Sequence, residues 1–398
     1  MWFHRDEGAI EVDLGDREPA DLERLEVTWP SRRLKEMTLI DTPGIESPST
    51  EVSARSHRFL VSDDDRPTQA DAVVYLMRHM HGTDLRFLEA FHQGDLADAA
   101  PLNAIGVLSR ADEVGACRPD AMQSAYRIAA RHAADPQLRS LCQTVLPVAG
   151  LVAEAGCMLT EQEFRNLARL AAEPRGQTDA LLLTADRFLA DVADSSLVPI
   201  ERQELMDRLG LFGIRLSHAL LRVGKASTSA ELASELLQKS GIVTLREALL
   251  RQLAGRSDAL KAKSALHALG TVLRRWRSND GDRILAQLED LTAQTHVFQE
   301  MRVLDALRKG AVGVRDDELS ELERLLGGTG TSISERLGVP GDVDAGDLRS
   351  TVLDAHVRWQ RKAEHPMSSR EVVDVARVAT RTCESLVADL TPSIPSNS

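Results

Sequence analysis

From Glu161 to Leu390, apolar residues recur almost without a break at three- and four-residue spacing, whereas ahead of Glu161 short apolar runs alternate with amphipathic stretches. That change of period limits what the chain can fold into. Spacing of three and four lines apolar side chains along one helix face, and a short continuous apolar run suits a strand covered on both faces of a parallel sheet. Residues 1–160 are therefore expected to form an α/β domain, residues 161–390 an elongated helical neck and stalk bundle, and residues 391–398 a disordered tail.

Within the first part, Leu25, Val27 and Trp29 alternate with polar neighbours, and Pro30-Ser31-Arg32-Arg33 turns the chain toward Met37–Asp41, a pattern that predicts a hairpin feeding the sheet. Ala72–Met77, Ala104–Leu108 and Thr144–Val148 read as buried strands, and Asp84–Gln93 and Asp120–Ala134 as helices between them. Further on, helices are expected over Glu161–Ala172, Thr178–Ala193, Pro199–Val223, Ala230–Lys239, Val243–Arg277, Asp282–Leu307, Glu318–Leu326 and Ala345–Leu390. Gly224–Ser229 reads as a polar linker and Ser240-Gly241 as a cap and turn. Gly327–Gly341 reads as a longer loop, either a plain connection or a bundle tip carrying Ile333, Leu337, Val339 and Arg336.

Two motifs carry chemistry. Asp41-Thr42-Pro43-Gly44 follows the apolar run Met37–Ile40. An aspartate at a strand tip, followed by a turn whose glycine N–H can approach a phosphate, is how GTPases of the P-loop class sense Mg²⁺ and the γ-phosphate. Asp41 would hold Mg²⁺ through water, with Thr42 beside it and the Gly44 N–H on the γ-phosphate. The loop Ile45–Pro67, with its charge run Asp63-Asp64-Asp65, follows where a switch region would lie. The second motif, Ser109-Arg110-Ala111-Asp112, comes directly after a buried run. There a carboxylate can accept both the ring N–H and the amine of guanine, so Asp112 would read the base. Arg110 would lay its planar group over the purine, Ser109 would add a polar contact, and the N–H of Ala149 would meet the guanine oxygen. The order of these signals predicts GTP or GDP with Mg²⁺ as ligands; no residue reads as a catalytic group. Val223–Ser227 lacks the first glycine and the Ser/Thr of a phosphate loop, and His79, His81 and Asp84 have no metal-site spacing.

Composition bears on partners. The net charge of −13 over 398 residues argues against a general nucleic-acid binder. Four cysteines without paired spacing fit a reducing cytoplasm, and no stretch reaches the ~18 apolar residues of a membrane span. Membrane contact, if made, would be peripheral, at the inner face of the plasma membrane.

Asp41-Thr42-Pro43-Gly44-Ile45, Leu108-Ser109-Arg110-Ala111-Asp112-Glu113, Leu205–Ile214 and Leu260–Leu266 together resemble the bacterial dynamin-like proteins, in particular the actinobacterial branch that includes the mycobacterial isoniazid-induced proteins. The resemblance extends over essentially the whole chain. It implies a GTPase head joined by a hinge to a helical stalk, head-to-head pairing as a homo- or hetero-dimer, and GTP-driven remodelling of lipid bilayers. It also implies that a central strand and a GxxxxGK[ST] loop precede the Trp2-Phe3 region. None of the 40 residues before Asp41 fits that loop, so the expected fold is an incomplete P-loop GTPase domain, N-terminally truncated and inactive as this chain. The alternative is a nucleotide-independent helical scaffold that binds an intact dynamin-like partner.

Overall fold

The computed structural model describes residues 3–6, 9–12, 25–28, 30, 38–42, 70–78, 85–86, 88–89, 103–190, 195–276 and 280–390. Pro43, Gly44, the loop 45–67, His79, His81, Asp84 and the tail 391–398 lie outside the described residues. The chain divides into two compact units, Met1–Thr42 and Pro43–Ser398.

In the first unit, β1 (Phe3–Asp6) and β2 (Ala9–Val12) pair antiparallel, with Phe3 opposite Val12 and Asp6 opposite Ala9. Of the hairpin expected between Leu25–Trp29 and Met37–Asp41, Trp29, the turn 31–36 and Met37 lie outside the described residues, and the described part shows no strand. Leu25–Thr28 and Thr38–Thr42 carry no regular secondary structure, and Leu39 and Ile40 are exposed. An apolar run becomes a buried strand only when a neighbour takes its backbone N–H and C=O groups, and no described strand pairs with this one.

In the second unit, β3 (Val73–Met77), β4 (Ala104–Ser109) and β5 (Val145–Val148) form a parallel sheet in that order. Val73 stands opposite Ala104 and Gly106 opposite Val145, close to the runs the sequence marks as strands. Gly106 sits between side chains of both neighbours: a Cβ there would lie 3.0 Å from Met77 Cε and 3.2 Å from Val145 Cγ2. A side chain at that position would crowd the Met77 and Val145 side chains on either side.

Helices cover both faces. α1 (Ala121–Ala134) and α2 (Pro136–Arg139) connect β4 to β5; Asp135 caps α2 by accepting from the Gln137 and Leu138 N–H groups, with Pro136 at the first helical position. After β5 come α3 (Gly150–Met158), α4 (Glu161–Ala172), α5 (Arg175–Leu181), α6 (Ala185–Leu189), α7 (Pro199–Arg222), α8 (Ser229–Lys239) and α9 (Ile242–Ala248). Thr160 and Glu163 close a reciprocal capping box at the start of α4. α7 is kinked at Gly210, whose φ of 64° is open only to glycine at little cost.

The remaining elements are a π-helical turn (Leu249–Leu253), a 3₁₀ turn (Ala254–Arg256), α10 (Ser257–Arg275), α11 (Gly281–Gln294), α12 (His296–Arg308), α13 (Asp316–Leu325), α14 (Ile333–Leu337), α15 (Ala345–Glu364) and α16 (Arg370–Asp389). One core joins Val73, Tyr75, Met77 and Val145 of the sheet to Phe298, Leu304, Leu322, Trp359 and Ala376 of these helices. A second joins Leu108 and Ala149 to Leu167, Phe188, Leu209 and Leu236. Both sides of residue 160 thus lie in one compact unit. The segment 327–341 is part of that packing. Ile333 and Leu337 lie against the first core, and Arg336 pairs with the buried Glu300 at 2.7 Å. Among the described residues no helix is long and apolar enough to cross a membrane.

Candidate nucleotide site

The C-terminal ends of β3, β4 and β5 lie side by side, the edge at which open parallel sheets hold their ligands. β4 is buried along nearly its whole length, with Ile105, Val107 and Leu108 at most 3% exposed, and this rigid strand delivers Ser109 to the edge. The Ser109 hydroxyl donates to the carbonyl of Met77 at 3.1 Å, tying the tips of β4 and β3 together.

Arg110 follows with φ 50° and ψ 41°, a left-handed conformation that turns the chain out of the strand into the 3₁₀ turn Ala111–Glu113. That turn fixes two carboxylates differently. Glu113 accepts from Arg78, just past β3, at 2.7 Å and from Arg110 at 3.0 Å. Burial works against its charge, but these two guanidinium groups outweigh it and hold the Glu113 pKa below the usual carboxylate value. Asp112 is 7% exposed, and among the described residues it makes no ion pair. Burial pushes its pKa up, opposed in part by a hydrogen bond from its own backbone and by the charge of Arg110.

The chain then makes a left-handed run at Gly115, Ala116 and Cys117, with φ of 66°, 60° and 58°. Two consecutive non-glycine residues in this region need outside support. Arg215 of α7 supplies it, donating to the carbonyls of Ala116 at 3.2 Å and Cys117, and on its other side to Leu182 and Leu183, both at 2.8 Å. Arg215 directly follows Leu205–Ile214, and sequence reasoning assigned it no role. Arg78 and Glu113 were missed in the same way, although Glu113 adjoins the SRAD motif.

The site residues named from sequence fall in three places. Ser109, Arg110 and Asp112 share the corner after β4. Ala149 stands at the N-cap of α3, fully buried, and its N–H donates to the carbonyl of Ser240 at 2.9 Å. That N–H is therefore already paired, and it does not face outward to meet a base as expected. Gly241 makes the contact possible: with φ 81°, it brings the α8–α9 turn so close that a Cβ would lie 2.2 Å from the Pro147 carbonyl. Asp41 and Thr42 end the first unit, with Asp41 exposed; Gly44 lies outside the described residues. Among the described residues no group of three His, Cys, Asp or Glu side chains could hold a metal ion.

At the corner after β4 stands a nearly buried carboxylate with no ion pair among the described residues, a group that can accept N–H donors to offset its desolvation. Arg110, its side chain 60% exposed, adds a planar cation beside it.

Comparison with known proteins places relatives beside this geometry. The chain is 38% identical over 385 residues to the isoniazid-induced protein IniC of Mycobacterium tuberculosis, in both strain CDC 1551 / Oshkosh and strain H37Rv; the match covers 96% of this chain and 77% of the relative. No family model and no solved structure matches the chain.

Proposed function

The chain belongs to the family of the isoniazid-induced protein IniC, and on that premise we propose that it is a dynamin-like guanine-nucleotide-binding protein that couples GTP binding and hydrolysis to membrane remodelling. The observation that carries this reading is the Asp112 carboxylate, 7% exposed and without an ion-pair partner among the described residues, at the C-terminal edge of a parallel sheet. Asp112 accepts the guanine N–H edge, Arg110 stacks on the purine, and Ser109 holds the corner to β3 through Met77. A bound nucleotide would bring Mg²⁺ and a hydrolysable γ-phosphate. No described residue is assigned as the catalytic group.

The test is binding of a fluorescent GTP analogue with Mg²⁺, against an ATP analogue, by the wild type and by Asp112→Asn. Saturable binding that prefers guanine by tenfold or more, lost in Asp112→Asn, supports the reading. Equal affinity for both bases, or a guanine preference that survives the substitution, refutes the role of Asp112.

Two observations favour a second reading, the nucleotide-independent scaffold that docks on an intact partner. The N–H of Ala149 is occupied by Ser240, and Asp41 is exposed on a segment that is not a strand. Saturable binding of this chain to an intact dynamin-like partner, with no binding to either nucleotide, selects this reading.

A further inference from the structure

Away from the sheet edge, three arginines of the helical part and Arg139 at the end of α2 are gathered around Glu300 and Glu323. Arg336 forms a two-pronged pair with Glu300, at 2.7 and 3.3 Å, and Glu300 also accepts from Thr382 at 2.8 Å. Arg308 and Arg139 share Glu323, at 3.4 and 2.9 Å. Of these four guanidinium groups, Arg256 is the one that makes no ion pair among the described residues. Its Nη2 donates to the carbonyl of Leu326 at 3.0 Å, and its Nη1 has no hydrogen-bond partner there. Arg256 is 5% exposed, so solvent does not neutralise it. An uncompensated buried charge is among the costliest features a fold can carry.

Arg256 lines a cavity of about 440 Å³ together with Gly255, Ser257, Glu300, Thr331 and Arg336. The cavity lies at the start of α10, whose first residue is Ser257 and whose N-terminus has no side-chain cap. We propose that this cavity binds a phosphate group, held by the Nη1 of Arg256 and by the hydroxyl of Thr331. A phosphate oxygen fills the open hydrogen-bonding position of Arg256 and sets a counter-charge beside it. Burial lowers the Arg256 pKa to about 10, so the side chain is still a cation at neutral pH. Asp258 lines the same cavity and is exposed, so it sets a negative charge near the incoming anion.

Inorganic phosphate is titrated calorimetrically into the full chain, with chloride at matched ionic strength as control. One-to-one saturation is expected, weakened tenfold or more by Arg256→Met and tightened two- to fivefold by Asp258→Asn. A gain of affinity cannot come from misfolding, so Asp258→Asn decides if the Arg256 variant does not fold. Phosphate binding independent of Arg256, or none at millimolar concentration, overturns the proposal. Glycerol phosphate and vesicles of phosphatidic acid then separate the sources of that group. Arg256-dependent binding of the soluble ester alone assigns a small molecule; Arg256-dependent sedimentation with the vesicles assigns a lipid headgroup.

Discussion

Arg215 of α7 donates to the carbonyl of Cys117 and so holds a left-handed turn five residues beyond Asp112. The same guanidinium reaches Ala116, Leu182 and Leu183, and the two sets of carbonyls approach it from different parts of the chain. A lysine cannot copy this, because its ammonium is a point charge without the planar fork. Arg215→Lys and Arg215→Ala are both expected to lose about 2–4 kcal/mol, the scale of several charged hydrogen bonds with carbonyls left unpaired. Urea unfolding reads the loss. If the turn positions Asp112, guanine-analogue affinity falls in the folded fraction as well.

The substitution Asp112→Asn separates stability from function. Burial raises the Asp112 pKa above the usual aspartate value. The folded chain thus holds this proton to higher pH than the unfolded chain does. Stability is lost as pH rises from the unfolded value through the raised one, because the unfolded state ionises first. Asparagine never ionises. The melting temperature of Asp112→Asn is expected to match that of the wild type at the acid end and to equal or exceed it near neutrality, while base recognition disappears. A variant markedly less stable than wild type at pH 7 would show that the carboxylate is structural.

Much of the sheet could be read from the sequence, and the reason is local. Ala104–Leu108 is apolar throughout because both faces of β4 are covered, and the observed strand adds only Ser109. Helix ends were harder to read. The apolar period over Ala345–Leu390 runs through His365–Ser369, where Ser369 caps a new helix by accepting from the Val372 N–H. Thr178–Ala193 likewise divides at Thr184, which caps α6. Caps depend on backbone geometry that periodicity does not encode. Within the candidate site, Asp112 was found through its position after a buried run. Arg215 and Ser240 were not, because each acts through partners far away in sequence, 98 residues in the Arg215–Cys117 bond. The expected strand ending at Asp41 failed for a related reason, since pairing is supplied by another segment and not by the run itself.

Two glycines with nearly the same backbone make a controlled pair. Gly241 has φ 81° and Gly224 φ 71°, but a Cβ at Gly224 meets nothing within 4 Å, whereas one at Gly241 would lie 2.2 Å from the Pro147 carbonyl. Gly224→Ala carries only the left-handed penalty of about 1 kcal/mol. Gly241→Ala adds a collision with backbone and should cost about 2–4 kcal/mol more. It also drives Ser240 away from the Ala149 N–H. Thermal melts of the two variants test the difference, and equal losses would show that the α8–α9 turn yields without cost.

Trp359 of α15 is 2% exposed and donates its indole N–H to Glu321 of α13 at 3.1 Å, while Arg358 and Glu321 form an ion pair at the same carboxylate. Two contributions can be told apart here. The ring buries a large apolar area, and truncation to alanine leaves a cavity that the helices around it cannot fill, at a cost of about 3–5 kcal/mol. Trp359→Phe keeps most of that volume and loses the indole donor. Because Glu321 still has Arg358, its carboxylate is not stranded, and the phenylalanine variant is expected to lose only about 1–2 kcal/mol. Glu321→Gln tests the other side of the bond: an amide oxygen still accepts from the indole, so the additional cost reports the half-exposed Arg358 pair alone, under about 1 kcal/mol. Urea midpoints for the three variants should therefore fall in the order Glu321→Gln, Trp359→Phe, Trp359→Ala, from least to most destabilised. A phenylalanine variant as unstable as the alanine variant would place the stabilisation in the hydrogen bond and not in the packing of the ring.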